Sequence, residues 1–392
     1  MISTRMAKTR RSVPGLRFTR MHLENWRNFT LVDVALSQRV FIVGPNASGK
    51  SNFLDVFRFL HDIVSVGGGL EEAVRKRQGI SKLRALSARK FPDIVIRVDV
   101  GGANGGTWQY ELALGQDKQQ RPQIKREVVR RDDQELFRRP DSSDLDDPER
   151  LTQTYLQQVN VNKDFRPVAE LFGSIRYLHI VPQLIREPDR SVGRVNDPYG
   201  GDFLEQLANT PERTLRARLK SIAAALRIAV PQLADLELTR DIRGVPHLRG
   251  RYEHWRPQGA WQTEEQFSDG TLRLLGLLWA IVESGGPLLL EEPELSLHPD
   301  VVRFLPQMFA RMQRRSGRQM ITSTHSTDLL RDEGIGLDEV LLLTPGPEGT
   351  TVRPADSFPE IKSLLDGGST LSEAVMPLTR PKDASQLALF GD

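Results

Sequence analysis

"RVFIVGPNASGKSNFLDVFRFLHDIV", residues 39–64, decides how this chain is read. A short apolar run leads into a turn of small residues, and an amphipathic pattern at helical spacing follows. The turn itself, GPNASGKS (44–51), matches G-x-x-x-x-G-K-[ST]. A strand before it and a helix after it are the context that separates a phosphate-binding loop from a chance match. In such a loop the backbone N–H groups and the helix N-terminus cradle phosphates. Lys50 reaches the terminal phosphates and Ser51 sets its hydroxyl on Mg²⁺. Gly44, Asn46, Ser48, Gly49, Lys50, Ser51 and Asn52 make up the candidate nucleotide-binding set.

A second stretch, "LLLEEPELSLHP" (288–299), raises a cost that needs an explanation. Three leucines read as a buried strand, and they run into Glu291, Glu292 and, past a proline, Glu294. Carboxylates at the end of a buried strand repel one another and lose hydration. A cation offsets that cost. In P-loop nucleotidases an acid at the end of another core strand supports the same Mg²⁺. Glu291 takes that place, and Glu292 is the candidate general base for an attacking water. "THS" (324–326) ends a further strand with His325, 33 residues after Glu292 (325 − 292), within reach of a γ-phosphate. "FSDGTLRLLGLL" (267–278) is a polar turn opening an apolar helix. There Ser268, the N–H of Gly270 and the helix dipole form a second anion site. Two phosphate sites for one nucleotide imply a dimer in which each site is completed by the partner.

Composition narrows the setting. The 392 residues are 39% hydrophobic, enough for one large domain or two lobes. The chain has no cysteine, which excludes disulfides, thiolate nucleophiles and zinc–thiolate sites and fits a reducing cytoplasm. The basic N-terminus has no apolar stretch after it, so no secretory signal is expected. The longest apolar run, "LLGLLWAIV" (274–282), is far short of the ~20 residues of a membrane span. Net charge is +3, unevenly placed: "VRKRQGISKLRALSARK" (74–90) holds seven Lys/Arg and no acid. That row is either a contact for a phosphate backbone such as duplex DNA or a solvated helix face.

Along the chain, 17–36 reads as a hairpin. Strands at 93–100 and 107–114 precede a second hairpin turning at Asp132–Asp133. The acidic run 140–149 reads as a loop. Helices are expected to about Phe172, over 211–230, from Thr271 to Glu283 and over 300–315. A short strand lies near 174–184, a strand region follows residue 230, and strands at 287–291, 319–325 and 339–345 complete the core. The last dozen residues read as an exposed tail.

Taken together, these motifs resemble the ABC-class ATPases of the RecF/SMC-like branch, the bacterial AAA-family ATP-binding proteins of anti-phage defence and DNA repair systems. Walker A matches 44–51, Walker B and the catalytic glutamate match Glu291 and Glu292, the signature matches "SDGT" (268–271), the D-loop "ELSLHP" (294–299) and the switch histidine His325. The resemblance implies an α/β P-loop fold of ABC type: a mixed core sheet flanked by helices, an antiparallel β subdomain and a helical signature lobe. Its parts would be 15–140 and 285–376 as the ATPase lobe, 141–284 as the signature lobe and 377–392 as a flexible tail. It implies ATP and Mg²⁺ as ligands, Glu292 and His325 in catalysis, Arg27 of "LENWRNF" near the nucleotide, and Gln183 as a metal-side Q-loop residue. It implies a homodimer closed around ATP, and by analogy a separate nuclease effector. Two departures stand out: the Walker B acid is Glu rather than Asp, and Asp269 and Thr271 replace the glycine and glutamine usual in transporters. Other readings are a transporter subunit and a scaffold with little turnover. The 217 positions between Ser51 and Ser268 (268 − 51) exceed the transporter interval. Finally, Gln386, Leu387, Leu389 and Phe390 in "QLALF" resemble the pentapeptide that docks on the replicative sliding clamp.

Overall fold

The computed structural model describes residues 15–88, 92–102, 105–187, 197–253, 260–283, 285–380 and 386. The chain opens with a hairpin, β1 (Arg17–Trp26) and β2 (Phe29–Ala35), then enters β3 (Arg39–Val43) and α1 (Lys50–Val64). Two short helices, α2 (Leu70–Arg75) and α3 (Ile80–Leu83), lead to β4 (Ile94–Gly102), β5 (Gly105–Gln116), β6 (Pro122–Arg131) and β7 (Gln134–Arg139). After α4 (Ser142–Asp146) and α5 (Arg166–Gly173) come β8 (Arg176–Leu178), α6 (Pro182–Arg186), α7 (Phe203–Ala208) and α8 (Glu212–Ala229). Three strands follow, β9 (Leu233–Arg240), β10 (Pro246–Tyr252) and β11 (Ala260–Thr263), then α9 (Asp269–Val282) and β12 (Leu288–Glu291). The chain continues through α10 (Pro299–Val302), α11 (Leu305–Ser316), β13 (Met320–Thr324), β14 (Val340–Gly346), β15 (Gly349–Pro354), α12 (Pro359–Asp366) and α13 (Leu371–Val375).

These strands form three sheets. The central one has the order β15-β14-β3-β13-β12-β8, parallel except for β15. Its strands are apolar on both sides, as parallel strands covered on both faces must be. Val40, Ile42, Leu289 and Ile321 enter one core; Phe41, Val43, Leu288, Leu290 and Met320 enter the other. The first core lies against α1 and an antiparallel sheet of order β2-β1-β4-β5-β6-β7, where the Phe18 and Phe57 rings meet edge to face at 4.9 Å. The second core holds α8, α9, α11 and the small sheet β11-β10-β9. Leu151, Leu156, Phe165, Val168 and Phe172 belong to the first core, so the division expected at residue 140 falls inside a packed unit.

Both expected hairpins are present, and the second turns on Asp132 and Asp133 at φ 48° and 66°, the left-handed pair of a tight two-residue turn. Three expectations are corrected. The acidic run after residue 140 is not a plain loop: Asp141 caps α4 and Asp144 is buried against the Arg139 guanidinium at 2.7 Å. A cation enclosed at the end of β7 requires a counter-charge, and this run supplies it. The single helix over 300–315 is two helices, since Pro306 has no N–H to continue the ladder from α10 and instead sits in the first turn of α11. The row of cations at 74–90 is not uniformly free, and part of it is bound into the fold. Arg77 is buried between Asp55 and Asp62 at 2.7 and 2.8 Å, Lys76 also pairs with Asp62, and Arg75 pairs with Glu72. Arg89 and Lys90 lie outside the described residues. So do Leu387, Leu389 and Phe390 of the clamp-like tail, while Gln386 is exposed. No helix among the described residues is long and apolar enough to cross a membrane.

Candidate nucleotide-binding site

β3, β12 and β13 are adjacent and parallel, so their carboxyl ends open on one edge of the sheet. That edge is where an open α/β sheet offers a ligand crevice. The loop leaving β3 reverses through Ala47 (φ 61°) and Gly49 (φ 97°) before α1 begins at Lys50. Gly49 is required twice over: its φ is left-handed, and a Cβ there would lie 2.1 Å from Asn28 Nδ2. Asn28 clamps the loop, donating to the Ser48 carbonyl at 2.9 Å and accepting from Asn52 Nδ2 at 2.7 Å. The α1 N-terminus has no side-chain cap, so its first N–H groups remain available to an anion.

Lys50 is buried and donates to the carbonyls of Gly44 and Pro45 at 3.0 and 3.1 Å. Burial pulls its pKa down, and Glu292, Glu291 and Glu294 oppose that shift. Its Nζ also lies 3.5 Å from His325 Nδ1. An ammonium only donates, so Nδ1 is the acceptor and the ring proton sits on Nε2. Nε2 in turn donates to Glu292 Oε1 at 2.8 Å. This bond is the largest influence holding the Glu292 carboxyl below its ordinary range, against burial. Glu292 adopts φ 45°, a left-handed backbone rare for glutamate, and strain of this sort concentrates at functional sites. One residue earlier, Glu291 accepts from the Ser51 hydroxyl and from the Tyr177 hydroxyl. His179 Nδ1–H donates to the Glu291 carbonyl at 3.3 Å.

The structure therefore brings together Lys50, Ser51, Glu291, Glu292 and His325 from three separate segments. Asn46 and Ser51 are exposed at the loop, Gly44 and Ser48 are buried behind it, and Asn52 is turned toward Asn28. Two expected residues stand elsewhere. Arg27 donates to Asp55 at 2.8 Å, and Gln183 is exposed in the first turn of α6. In their neighbourhoods Asn28 and the pair Tyr177/His179 make the contacts to the loop and to Glu291. Ser268 is the N-cap of α9, bonded to Thr271 N at 3.2 Å, and it is exposed. Gly270 packs so closely on the Ser296 carbonyl that a Cβ would sit 2.4 Å from it. The turn 268–271 and the segment 294–299 thus share one surface. Arg273, one turn further along α9, lines a cavity of about 20 Å³ together with Leu178, Leu290, Glu291 and Glu292, and its Nε is buried without a partner.

Uncapped N–H groups, a loop lysine and two hard oxygen donors fit a nucleotide with Mg²⁺. That ion takes oxygen ligands and is commonly held by one or two carboxylates together with substrate phosphates. Ser51 Oγ and Glu291 are the residues that would hold it. The fold and this donor set are those of a P-loop nucleotide-binding protein. Residues 39–332 match the family described as "AAA domain, putative AbiEii toxin, Type IV TA system", and the chain belongs to that family. Among solved structures it is similar to an SMC head bound to the C-winged-helix domain of ScpA, at 13% identity and TM-score 0.52, covering 86% of this chain and 96% of that one. It is also similar to the Pyrococcus furiosus SMC head with an extended coiled coil bound to the C-terminal domain of ScpA (11%, 0.53, 90% and 100%). The Pyrococcus yayanosii SMC head with a coiled coil and joint is comparable (11%, 0.51, 90% and 100%). At these identities the likeness is one of fold. No curated protein matches the sequence.

Proposed function

We propose that the chain is an ATPase that binds MgATP at the 44–51 loop, closes as a homodimer around it, and reopens on hydrolysis. The observation that carries this reading is the Lys50–His325–Glu292 relay at the sheet edge, beside Ser51 and Glu291. Lys50 and the α1 N–H groups would bind the phosphates. Bound Mg²⁺ supplies charge neutralisation at the transferred phosphoryl group. Glu292, held ionised by His325, takes the proton of the attacking water, and His325 carries a donor to the same place. Ser268, exposed at the α9 N-terminus, would complete the partner's site.

The same reading makes the protein a regulator acting at DNA with a separate effector, a nuclease in anti-phage defence or repair. The family description, with its toxin–antitoxin reference, supports the defence setting. Glu292→Gln keeps the shape and the other contacts but removes the base. It should bind ATP, lose about 10²–10⁴ in turnover and accumulate as an ATP-dependent dimer in sedimentation. Turnover equal to wild type would refute the assignment.

A further inference from the structure

Glu294, the third carboxylate of the 288–299 stretch, is not explained by metal binding or by base catalysis. Its Oε1 accepts from Thr324 Oγ1 at 2.6 Å and from the His325 backbone N–H at 3.0 Å. Its Oε2 is sealed from solvent and has no partner. Burial pushes its carboxyl up from the ordinary range, with the neighbouring Glu292 charge adding to that. The side chain thus reaches from the start of the 294–299 segment across to the end of β13. It grips the residue whose ring bridges Lys50 and Glu292. The same segment turns through Ser296 (φ 60°) to present its carbonyl to Gly270.

We propose that Glu294 is a positioning residue, a latch that accepts two hydrogen bonds at the end of β13, fixes the His325 backbone and so sets the imidazole on Glu292. It ties that setting to the segment that packs on the 268–271 turn. This deepens the function proposed above and rests on it for the kinetic consequence. A latch that works by accepting hydrogen bonds has a definite chemical signature. Glutamine presents the same accepting oxygen to Thr324 and His325 and an uncharged NH₂ where Oε2 sits. Alanine presents neither. An ionised glutamate acting as metal ligand or base would give the opposite order, with glutamine as harmful as alanine.

The experiment compares wild type, E294Q and E294A in the full chain for ATP affinity, kcat and KM, and records the His325 imidazole NMR resonances without nucleotide. E294Q should stay within about threefold of wild type in kcat, with the ring resonances in place. E294A should bind ATP with unchanged affinity, lose kcat by about ten- to a hundredfold with KM nearly constant, and show displaced ring resonances. A ten- to hundredfold loss corresponds to about 1.4–2.7 kcal/mol at about 1.36 kcal/mol per tenfold, the size of losing two hydrogen bonds. An E294Q as inactive as Glu292→Gln overturns the proposal, and so does an E294A with wild-type kcat or unmoved resonances. If E294A does not fold, Thr324→Val removes one of the two bonds and is held to the same criterion at smaller amplitude. A wild type without ATPase activity would refute the proposed function, while the resonances would still decide the latch.

Discussion

At the end of β7 the Arg139 guanidinium is fully enclosed, and each of its three nitrogens is bonded. Nε and Nη2 reach Asp144 at 2.9 and 2.7 Å, Nη1 reaches Glu127 at 3.3 Å, and the carbonyls of Arg150 and Gln153 take the remaining donors. At the carboxyl edge of the parallel sheet the charges are as closely gathered but left incomplete. Lys50 turns back on its own loop carbonyls, Arg273 Nε has no partner, Ser48 Oγ has none, and one oxygen of Glu294 has none. Both regions bury charge. The first is satisfied by the protein alone and serves the fold. The second leaves polar atoms without a protein partner among the described residues, and under-satisfied titratable groups in a crevice mark function. The difference also explains why a cation can mislead when read from sequence alone: Arg77 belongs to the first kind although it sits in the sequence among cations that look free.

The comparison can be broken most directly at Arg139. Arg139→Met leaves Glu127 enclosed without its cation and Asp144 with Arg150 alone, which should cost about 3–5 kcal/mol of unfolding free energy. Urea denaturation measures it, and ATP affinity in the folded fraction should not change. A loss below about 1 kcal/mol would mean that enclosure and full pairing do not make this network structural.

Lys50→Ala is the reverse case. Nucleotide affinity should fall by at least the worth of a charged hydrogen bond, about 1.5–3 kcal/mol or ten- to a hundredfold. Stability should hold within about 1 kcal/mol, because active-site strain and burial are commonly relieved by such changes. Calorimetric titration with MgATP and a thermal melt give the two numbers. A large stability loss with affinity intact would place Lys50 among the structural charges.

A smaller effect is expected from Tyr177→Phe. The phenol donates to Glu291, and burial together with the Glu291 charge raises its pKa far above the ordinary tyrosine value, so it remains a donor throughout the working range. Removing it frees the carboxylate to move. The Mg²⁺ concentration that supports half-maximal ATP binding should shift by about threefold to tenfold, of the order of one net hydrogen bond. Binding of ATP without Mg²⁺ should not change. An equal effect with and without the metal would detach Tyr177 from the metal side of the site.

How far the sequence carries these conclusions depends on whether the needed partners are local. Residues 44–51 encode a backbone path in consecutive positions, and 288–292 encode strand and carboxylates together, so both were legible. His325 was legible because it closes an apolar strand. Tyr177, His179 and Asn28 were not, since each acts on a residue far along the chain and nothing in "SIRYLHI" or "WRNF" announces the contact. Asn28 lies beside the Arg27 that resemblance favours, and only the geometry, Gly49 against Asn28 Nδ2, distinguishes them. The folding of 141–147 over Arg139 was hidden for the same reason: an acidic, proline-bearing run has the composition of a loop until a buried cation is placed beneath it.

The smallest effect concerns DNA and sets two basic stretches against each other. In 74–90 the cations Arg75, Lys76 and Arg77 are already paired with carboxylates. On α8, Arg213 and Lys220 are exposed and make no ion pair among the described residues, on the same helix face as Arg216 and Arg227, whose pairs with Glu212 and Glu253 are solvent-exposed. Exposed pairs cost little to exchange for phosphate. If the chain acts at duplex DNA, α8 is the surface with charge to offer, and each phosphate contact adds about 0.9 to the slope of log affinity against log salt. The double change Arg213→Gln/Lys220→Gln should therefore lower the slope by about two, measured by fluorescence anisotropy on linear duplex over a salt series. Lys76→Gln should leave it unchanged within about half a unit, because Lys76 is already held by Asp62, a carboxylate only 16% exposed, before DNA arrives. The opposite ranking would show that the 74–90 pairs open on binding, and that local satisfaction in the free chain is no guide to which cations meet a polyanion.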